Sequence, residues 1–131
     1  RIQIAKSLIE KADAAGIALN NLHIDPCVMS LAVAPTSMND FIACIGAIHD
    51  FAPEVRVTGA ISNISYGMPV RKYVNMAFMS AAVTAGLDSA IMDPTNERMI
   101  GIMYAAEALC GADKGGRKYN RAYRKGLFGK K

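Results

Sequence analysis

The sequence has few cysteines, no long uninterrupted apolar run and no acidic residue after Lys114. Its three cysteines, Cys27, Cys44 and Cys110, lie far apart and match no zinc or redox spacing, which indicates buried, reduced thiols. His23 is near Cys27, but four residues of extended chain span about 13 Å, too far for both side chains to bind one metal ion. The sequence therefore predicts no metal site.

Charged residues and prolines interrupt the apolar runs, so we expect no transmembrane segment and no membrane partner. No signal peptide is visible at the start of the sequence, and the cytoplasm is the expected location. The chain does not begin with Met, and its first residues already follow a helical pattern. We expect it to be a piece of a longer protein.

Positive charge is concentrated at the end of the chain. Residues 114–131 carry eight of the 15 Lys and Arg and no acid, so residues 1–113 have seven basic and 11 acidic residues and a net charge of −4. Such a tail is usually a solvated surface segment, and less often a dock for an acidic partner. The pattern of apolar and aromatic residues in the tail favours a helix lying on the body over a nucleic-acid-binding arm, because Tyr119, Tyr123, Leu127 and Phe128 recur at roughly helical spacing. We expect no nucleic-acid partner.

Helical and strand patterns alternate along residues 1–113. Helical patterns cover residues 1–15, 37–52, 69–85 and 94–110, and strand patterns cover residues 22–26, 56–61 and 89–92. This alternation predicts an α/β fold with parallel strands and right-handed crossovers. Three strands cannot close a barrel, since eight such units need about 250 residues. The prediction is the C-terminal portion of a (β/α)8 TIM barrel, whose open edges need a missing half or a second copy in a homodimer.

The third helix has the most regular pattern of the four. Its predicted buried face consists of Val70, Tyr73, Val74, Ala77, Phe78, Ala81 and Ala85.

Each predicted strand delivers one polar residue to its carboxyl end: Asp25, Asn63 and Asp93. The carboxyl ends of parallel strands form the catalytic edge of such folds, so these residues mark a candidate site. For Asp93 an N-cap role is the better explanation, because Pro94 follows and fits the first helical turn. Asp25 has a structural alternative as an N-cap or a loop-bracing residue. Asn63 has one as a cap of the following helix.

Three segments together resemble a known enzyme family. They are Ile-Asp-Pro at residues 24–26, Ser-Asn-Ile-Ser at residues 62–65 and Ala-Gly-Leu-Asp-Ser-Ala-Ile at residues 85–91. In this order and spacing they resemble the pterin-binding methyltransferases that use methyltetrahydrofolate and a corrinoid protein. The resemblance extends to about Gly111. It implies a (β/α)8 barrel, a methyltransferase, methyltetrahydrofolate or tetrahydrofolate as substrate, and a corrinoid carried by a partner protein.

The resemblance also implies roles for individual residues. Asn63 matches the family's catalytic asparagine, which hydrogen-bonds N5 of the pterin, and Asp25 matches an aspartate that binds donors of the pterin ring. Arg71 aligns with an arginine near the folate tail. Two residues depart from the family pattern: Ala60 replaces a usual Gly, and Tyr66 replaces the Gln of the corrinoid iron-sulfur protein enzyme. The complete set implied for pterin binding is Asp25, Ile61, Ser62, Ser65, Tyr66 and Arg71.

Two other interpretations stay open. A dihydropteroate synthase is also a pterin barrel, but its corresponding segment resembles Ser-Arg-Lys-Ser, and Asn63 and Ile64 here lack the charge that an anionic substrate needs. Alternatively, the chain is an inactive half-barrel that only dimerises through exposed strand edges.

Overall fold

The computed structural model describes residues 1–130. Its helices are α1 (Ile2–Ala14), α2 (Ser37–Phe51), α3 (Arg71–Thr84), α4 (Glu97–Leu109) and α5 (Arg117–Arg124), its strands are β1 (His23–Ile24) and β2 (Arg56–Val57), and 3-10 turns lie at Leu19–Asn21, Ile61–Ser65 and Lys114–Gly116. Within residues 1–130, no helix has the length and apolar character required to cross a membrane.

The strands form a short parallel sheet. His23 lies opposite Arg56 and Ile24 opposite Val57, while the third predicted strand is reduced to a parallel bridge between Ala60 and Ile91. Mixed helices and parallel strands fit a partial α/β barrel, which confirms the predicted α/β class.

The strands are shorter than predicted. The pattern at residues 56–61 predicts six strand residues, but the ladder stops at Val57 and a 3-10 turn begins at Ile61. Hydrogen bonds nevertheless continue the parallel alignment, because Ile91 N donates to the carbonyl of Gly59 at 2.9 Å and Ile61 N donates to that of Ile91 at 3.2 Å. The third strand segment therefore lies beside β2 and is joined to it by few backbone hydrogen bonds.

The core lies between the sheet and the helices that follow the strands. Apolar side chains at i, i+4 and i+7 of α2 face the sheet, and the ring of Phe41 packs against that of Phe78 of α3 with 5.7 Å between centroids. The most buried core side chains are Phe41, Phe78, Ile45, Ile48, Ile61, Ile64, Met79, Val55 and Val57. Parallel strands covered by helices bury apolar side chains in this way.

The buried face of α3 is rotated from the predicted one. Val70 and Tyr73 are 60% and 61% exposed, whereas Phe78, Met79 and Ala82 are buried. The reason is tertiary: α3 packs against α4 on one side and against the 3-10 turn at Ile61–Ser65 on the other. The prediction of Val70, Tyr73 and Ala77 as buried was therefore wrong.

The basic tail lies on α4 through an aromatic cluster and a buried carboxylate. Phe128 is 5.0 Å from Tyr119, centroid to centroid, and packs against the Gly101 surface of α4. Asp113 is 3% exposed and accepts hydrogen bonds at 3.0 Å from the backbone N–H groups of Lys118 and Tyr119. Asp113 thereby satisfies donors in the first turn of α5 that have no partner within the helix.

Gly59 and Gly46 provide a matched pair for testing the core packing. A Cβ at Gly59 would lie 2.7 Å from Cζ of Phe41, whereas a Cβ at Gly46, inside α2, meets nothing within 4 Å. Gly59→Ala should lower the free energy of unfolding by about 1–3 kcal/mol through overpacking. Gly46→Ala should raise it by up to about 1 kcal/mol through helix propensity. Urea unfolding of both variants checks the opposite signs, and equal effects would contradict the packing described at Gly59.

Asp113 should make the stability of the fold depend on pH. Burial raises the pKa of Asp113, but the backbone hydrogen bonds from Lys118 and Tyr119, with the Lys118 charge, outweigh it and hold the pKa below its ordinary value. A lowered pKa in the folded state stabilises the fold above the unfolded-state pKa, and this stabilisation is lost as pH falls through the folded-state pKa.

Asp113→Asn should therefore lower Tm at pH 7, and the difference from wild type should shrink as pH falls below about 4. Asp50→Asn, at an exposed position of α2, is the matched control and should leave Tm unchanged. A Tm difference for Asp113→Asn that stays constant down to pH 2 would rule out the ionised carboxylate as its source.

Candidate functional site

The parallel alignment places the three polar strand ends at one edge of the sheet. Asp25 directly follows β1, Asn63 lies in the 3-10 turn that follows β2, and Asp93 lies two residues beyond the bridge at Ile91. Two hydrogen bonds join the loop after Asp25 to the turn that carries Asn63: Leu31 N donates to the carbonyl of Ile64 at 3.0 Å, and Ser30 Oγ donates to that of Tyr66 at 2.5 Å. The loops after β1 and β2 therefore form one connected rim.

Asp25 braces its own loop and is also exposed. Its Oδ1 accepts a hydrogen bond from Cys27 N at 2.8 Å, and Cys27 has a left-handed backbone with φ of 68°. This is an Asx turn, the structural role left open by the sequence. Among residues 1–130, Oδ2 accepts no hydrogen bond. Asp25 can therefore hold the loop with one oxygen and present the other to a ligand.

Asn63 lies in the middle of the 3-10 turn Ile61–Ser65. Its N–H donates to the carbonyl of Ala60 at 3.3 Å, and its own carbonyl accepts from Tyr66 N at 3.2 Å. Its side chain is exposed and makes no hydrogen bond with residues 1–130. The amide is therefore free to accept from or donate to a ligand, and it does not cap α3.

Arg71 holds this turn from the first residue of α3. Its Nη2 donates to the carbonyl of Ser62 at 2.6 Å, and its Nε donates to Ser65 Oγ at 2.9 Å. Ser65 is fully buried, and its hydroxyl donates to Oδ1 of Asn75 at 2.6 Å. The guanidinium also lies 5.9 Å from the ring centroid of Tyr66. The turn is fixed on both sides of Asn63.

The other residues implied for pterin binding differ in what they can offer a ligand. Ile61 is 1% exposed, and its side chain belongs to the core. Ser62 is exposed, and Tyr66 is 72% exposed beside the turn. Ser62 and Tyr66 can therefore offer their side chains, whereas the side chains of Ser65 and Ile61 support the turn from below.

The structure does not bring Asp25 and Asn63 into one enclosed cavity. Asp25 lines a cavity of about 200 Å³ together with Ile4 and Leu8 of α1, and Asn63 is not among its lining residues. A larger groove of about 780 Å³ lies between α4 and the tail. The edge that carries Asp25, Asn63 and Asp93 is an open surface within residues 1–130.

Asp93 does not cap α4 as predicted. The helix begins at Glu97, and Asn96 is its N-cap, with Oδ1 accepting from Met99 N at 3.2 Å. Asp93 Oδ1 instead accepts from the hydroxyl and the N–H of Thr95, and these hydrogen bonds lower the pKa of Asp93. Pro94 lies outside the helix because the chain makes one more turn before α4 starts.

Sequence reasoning missed Asn75 and the contact between His23 and Ser89. Asn75 is a polar residue on α3 four positions after Arg71, a spacing that places both on one helix face. His23 Nδ1 lies 3.3 Å from Ser89 Oγ, across β2. Within residues 1–130, no three His, Cys, Asp or Glu side chains lie together in a way that could bind a metal ion.

No family model matches the chain. The chain is 40% identical over 129 residues to a protein of Eubacterium limosum named "Methylcorrinoid:tetrahydrofolate methyltransferase". The aligned region is 98% of this chain and 48% of that protein, so the chain spans about half the length of the curated relative that it matches. The similarity confirms the resemblance predicted from the residues at 24–26, 62–65 and 85–91.

Val70 should carry backbone strain at the entry to α3. Its φ of 47° and ψ of 48° are left-handed, a region that β-branched residues avoid at a cost of about 1–3 kcal/mol. Since the side chain is largely exposed, Val70→Gly should raise the free energy of unfolding by about 1 kcal/mol after the added chain entropy of Gly is subtracted. Val33→Gly, at an exposed loop position without a left-handed backbone, should lower it slightly. Urea unfolding measures both changes, and equal losses of stability would argue against strain at Val70.

Proposed function

We propose that this chain is part of a methyltransferase that moves a methyl group between the cobalt of a corrinoid on a partner protein and N5 of tetrahydrofolate. The observation that supports this most is the 40% identity to a methylcorrinoid:tetrahydrofolate methyltransferase over nearly the whole chain. The aligned region includes the rim formed by Asp25 and the Asn63 turn. The chain would supply part of the site, and the remainder of the protein would supply the rest.

The name of the relative puts the methyl group on the corrinoid and tetrahydrofolate as the acceptor, and we infer the same direction here. In this step the lone pair of N5 attacks the methyl carbon and forms the N–C bond. The cobalt–carbon bond breaks, its electron pair stays on the metal, and Co(III) is reduced to Co(I). N5 becomes positively charged and loses its proton to solvent.

Asn63 suits the charge that develops on N5. Its amide has an acceptor oxygen and a donor NH₂ on one rotatable group, so it can accept from a protonated N5 or donate to the neutral amine. A group of this kind stabilises the charged nitrogen without titrating itself. Because the Asn63 amide is exposed and has no hydrogen bond to residues 1–130, no existing contact has to be broken before it binds N5.

Asp25 would orient the pterin. A carboxylate accepts charge-assisted hydrogen bonds from ring N–H and amino groups, and Asp25 keeps one oxygen free for them while the other holds Cys27 N. Such hydrogen bonds fix N5 relative to the methyl carbon, which is the positioning contribution to catalysis. Ser62 and Tyr66 would contact the folate next to Asp25. The ring of Tyr66 would stack on it.

The short parallel sheet would form part of a larger barrel. The free edge of β1 and the bridge at Ile91 are consistent with a C-terminal portion of a (β/α)8 barrel. The open strand edge would be covered by the missing half of the barrel or by a second copy in a homodimer. Cys27 and Cys110 are exposed, so the prediction of buried thiols was wrong for these two and right for Cys44. Free thiols fit a reducing compartment, and the cytoplasm is the proposed location.

The dihydropteroate synthase alternative loses support at Ile64. That position would have to present a basic side chain to an anionic substrate, but Ile64 is 1% exposed and packs in the core. A lysine there would bury an uncompensated charge.

Replacing Asn63 by Ala should slow methyl transfer. In the natural polypeptide that carries residues 1–131, Asn63→Ala should lower kcat/KM by about 10- to 1000-fold, the effect of losing one contact to a developing charge. Methyl transfer from a methylated corrinoid protein to tetrahydrofolate is followed by the visible spectrum of the cobalt. Asn120→Ala, an exposed position on α5, is the matched control and should keep the wild-type rate.

Three outcomes would contradict this proposal. Methyl transfer by Asn63→Ala at the wild-type rate would remove the amide from the mechanism. No transfer by the wild-type protein would remove the reaction itself. Formation of dihydropteroate from a pterin pyrophosphate and aminobenzoate would support the synthase instead.

A further inference from the structure

Arg71 is hydrogen-bonded to the turn that carries Asn63. The resemblance implies that Arg71 lies near the folate tail, but the guanidinium is already engaged with protein groups: Nη2 with the carbonyl of Ser62, and Nε with Ser65 Oγ. Ser62 precedes Asn63 by one residue, and Ser65 follows it by two. The two hydrogen bonds therefore hold the turn on both sides of Asn63.

Asn75 extends this set of hydrogen bonds into the interior of the protein. Ser65 is fully buried, and its hydroxyl accepts from Arg71 Nε while donating to Asn75 Oδ1 at 2.6 Å. Arg71 and Asn75 are one helical turn apart on α3, so a single rigid element supplies both ends of the chain of hydrogen bonds. Charge-assisted hydrogen bonds of this kind are stronger than neutral ones.

We propose that Arg71, acting through Ser62 and Ser65, is a positioning residue that fixes the turn so that the free amide of Asn63 meets N5 in one orientation. This rests on the proposed function. Val70, directly before Arg71, has a left-handed backbone at the start of α3. Within the turn, Ser65 Oγ also lies 3.2 Å from the carbonyl of Ser62. Among the described hydrogen bonds of residues 1–130, Arg71 is the only side chain from outside the turn that contacts both flanks of Asn63.

A positioning role and a binding role for Arg71 predict different kinetics. If Arg71 positions Asn63, Arg71→Met in the natural polypeptide should lower kcat by about 10- to 100-fold, because a catalytic group displaced by about 1 Å loses that much. KM for tetrahydrofolate should change by less than about threefold. Lys72→Met, the adjacent exposed cation on α3, is the matched control and should leave both constants unchanged. A rise in KM with unchanged kcat would overturn the proposal in favour of folate-tail binding.

A double variant tests whether Arg71 acts through Asn63. In the Asn63→Ala background, Arg71→Met should change kcat by less than about threefold, since the group that it positions is already absent. An equal loss in both backgrounds would overturn the proposal. Should Arg71→Met fail to fold, Arg71→Lys keeps the charge but cannot form both hydrogen bonds of the guanidinium, and its kcat should be intermediate.

Hydrogen exchange separates this proposal from the proposed function. The N–H groups of Asn63 and Tyr66 close the turn, and both should exchange faster in Arg71→Met than in wild type or in Lys72→Met. Unchanged exchange would overturn the positioning role whatever the enzyme does. Absence of methyl transfer by the wild-type protein would instead overturn the proposed function, and the exchange of the turn would still decide whether Arg71 holds it.

Discussion

The parallel hydrogen-bonding of three short strands is the constraint on which the rest of the structure depends. Leu22 O and Ile24 O accept from Arg56 N and Thr58 N at 2.9 Å, and the bridge at Ala60 and Ile91 continues the alignment. Because all three segments run the same way, the loops that follow them emerge at one edge. The polar residues of those loops are separated by tens of positions in sequence, yet the ladder gives them a common surface.

That surface is built from hydrogen-bonded turns. Asp25 and Asp93 each use one carboxylate oxygen to close a local turn, with Cys27 and Thr95 respectively. Asn63 differs, since its turn is closed by backbone groups and supported from α3 by Arg71. An amide that makes no structural hydrogen bond and lies on a supported turn can bind a ligand atom whose charge changes during a reaction.

The helices and the order of helices and strands could be predicted from the sequence. The buried face of each helix could not, because tertiary packing determines it. The helical pattern from Ile2 and the alternation of strand and helix gave α1 and the α/β class correctly. The predicted burial of Val70, Tyr73 and Ala77 was wrong because α4 and the turn at Ile61–Ser65 decide which face of α3 is covered.

The residues of the candidate site were likewise predicted only in part. Asp25 and Asn63 could be found as polar residues at strand ends, and the placement of both after parallel strands follows from the observed ladder. The start of α4 was misplaced because Asp93–Pro94 has the composition of a helix start, while the structure uses Asn96. Asn75 could not be found, since its partner Ser65 is ten residues away and only the angle between the turn and α3 brings them together.

The exposure of one face of the sheet bears on how the site is completed. His23 and Asp25 are exposed while Ile24 between them is buried, and Ile91 of the third strand is 61% exposed. In a closed barrel such inward side chains are packed in layers by residues from other strands, and the contact of His23 with Ser89 across β2 has the form of one such layer. An apolar side chain such as Ile91 gains stability only when it is covered, whereas Asp25 at the rim can remain accessible to a polar ligand. Under the proposed barrel architecture, covering this face would bury the lower part of the sheet and leave Asp25 and Asn63 on the wall of a pocket.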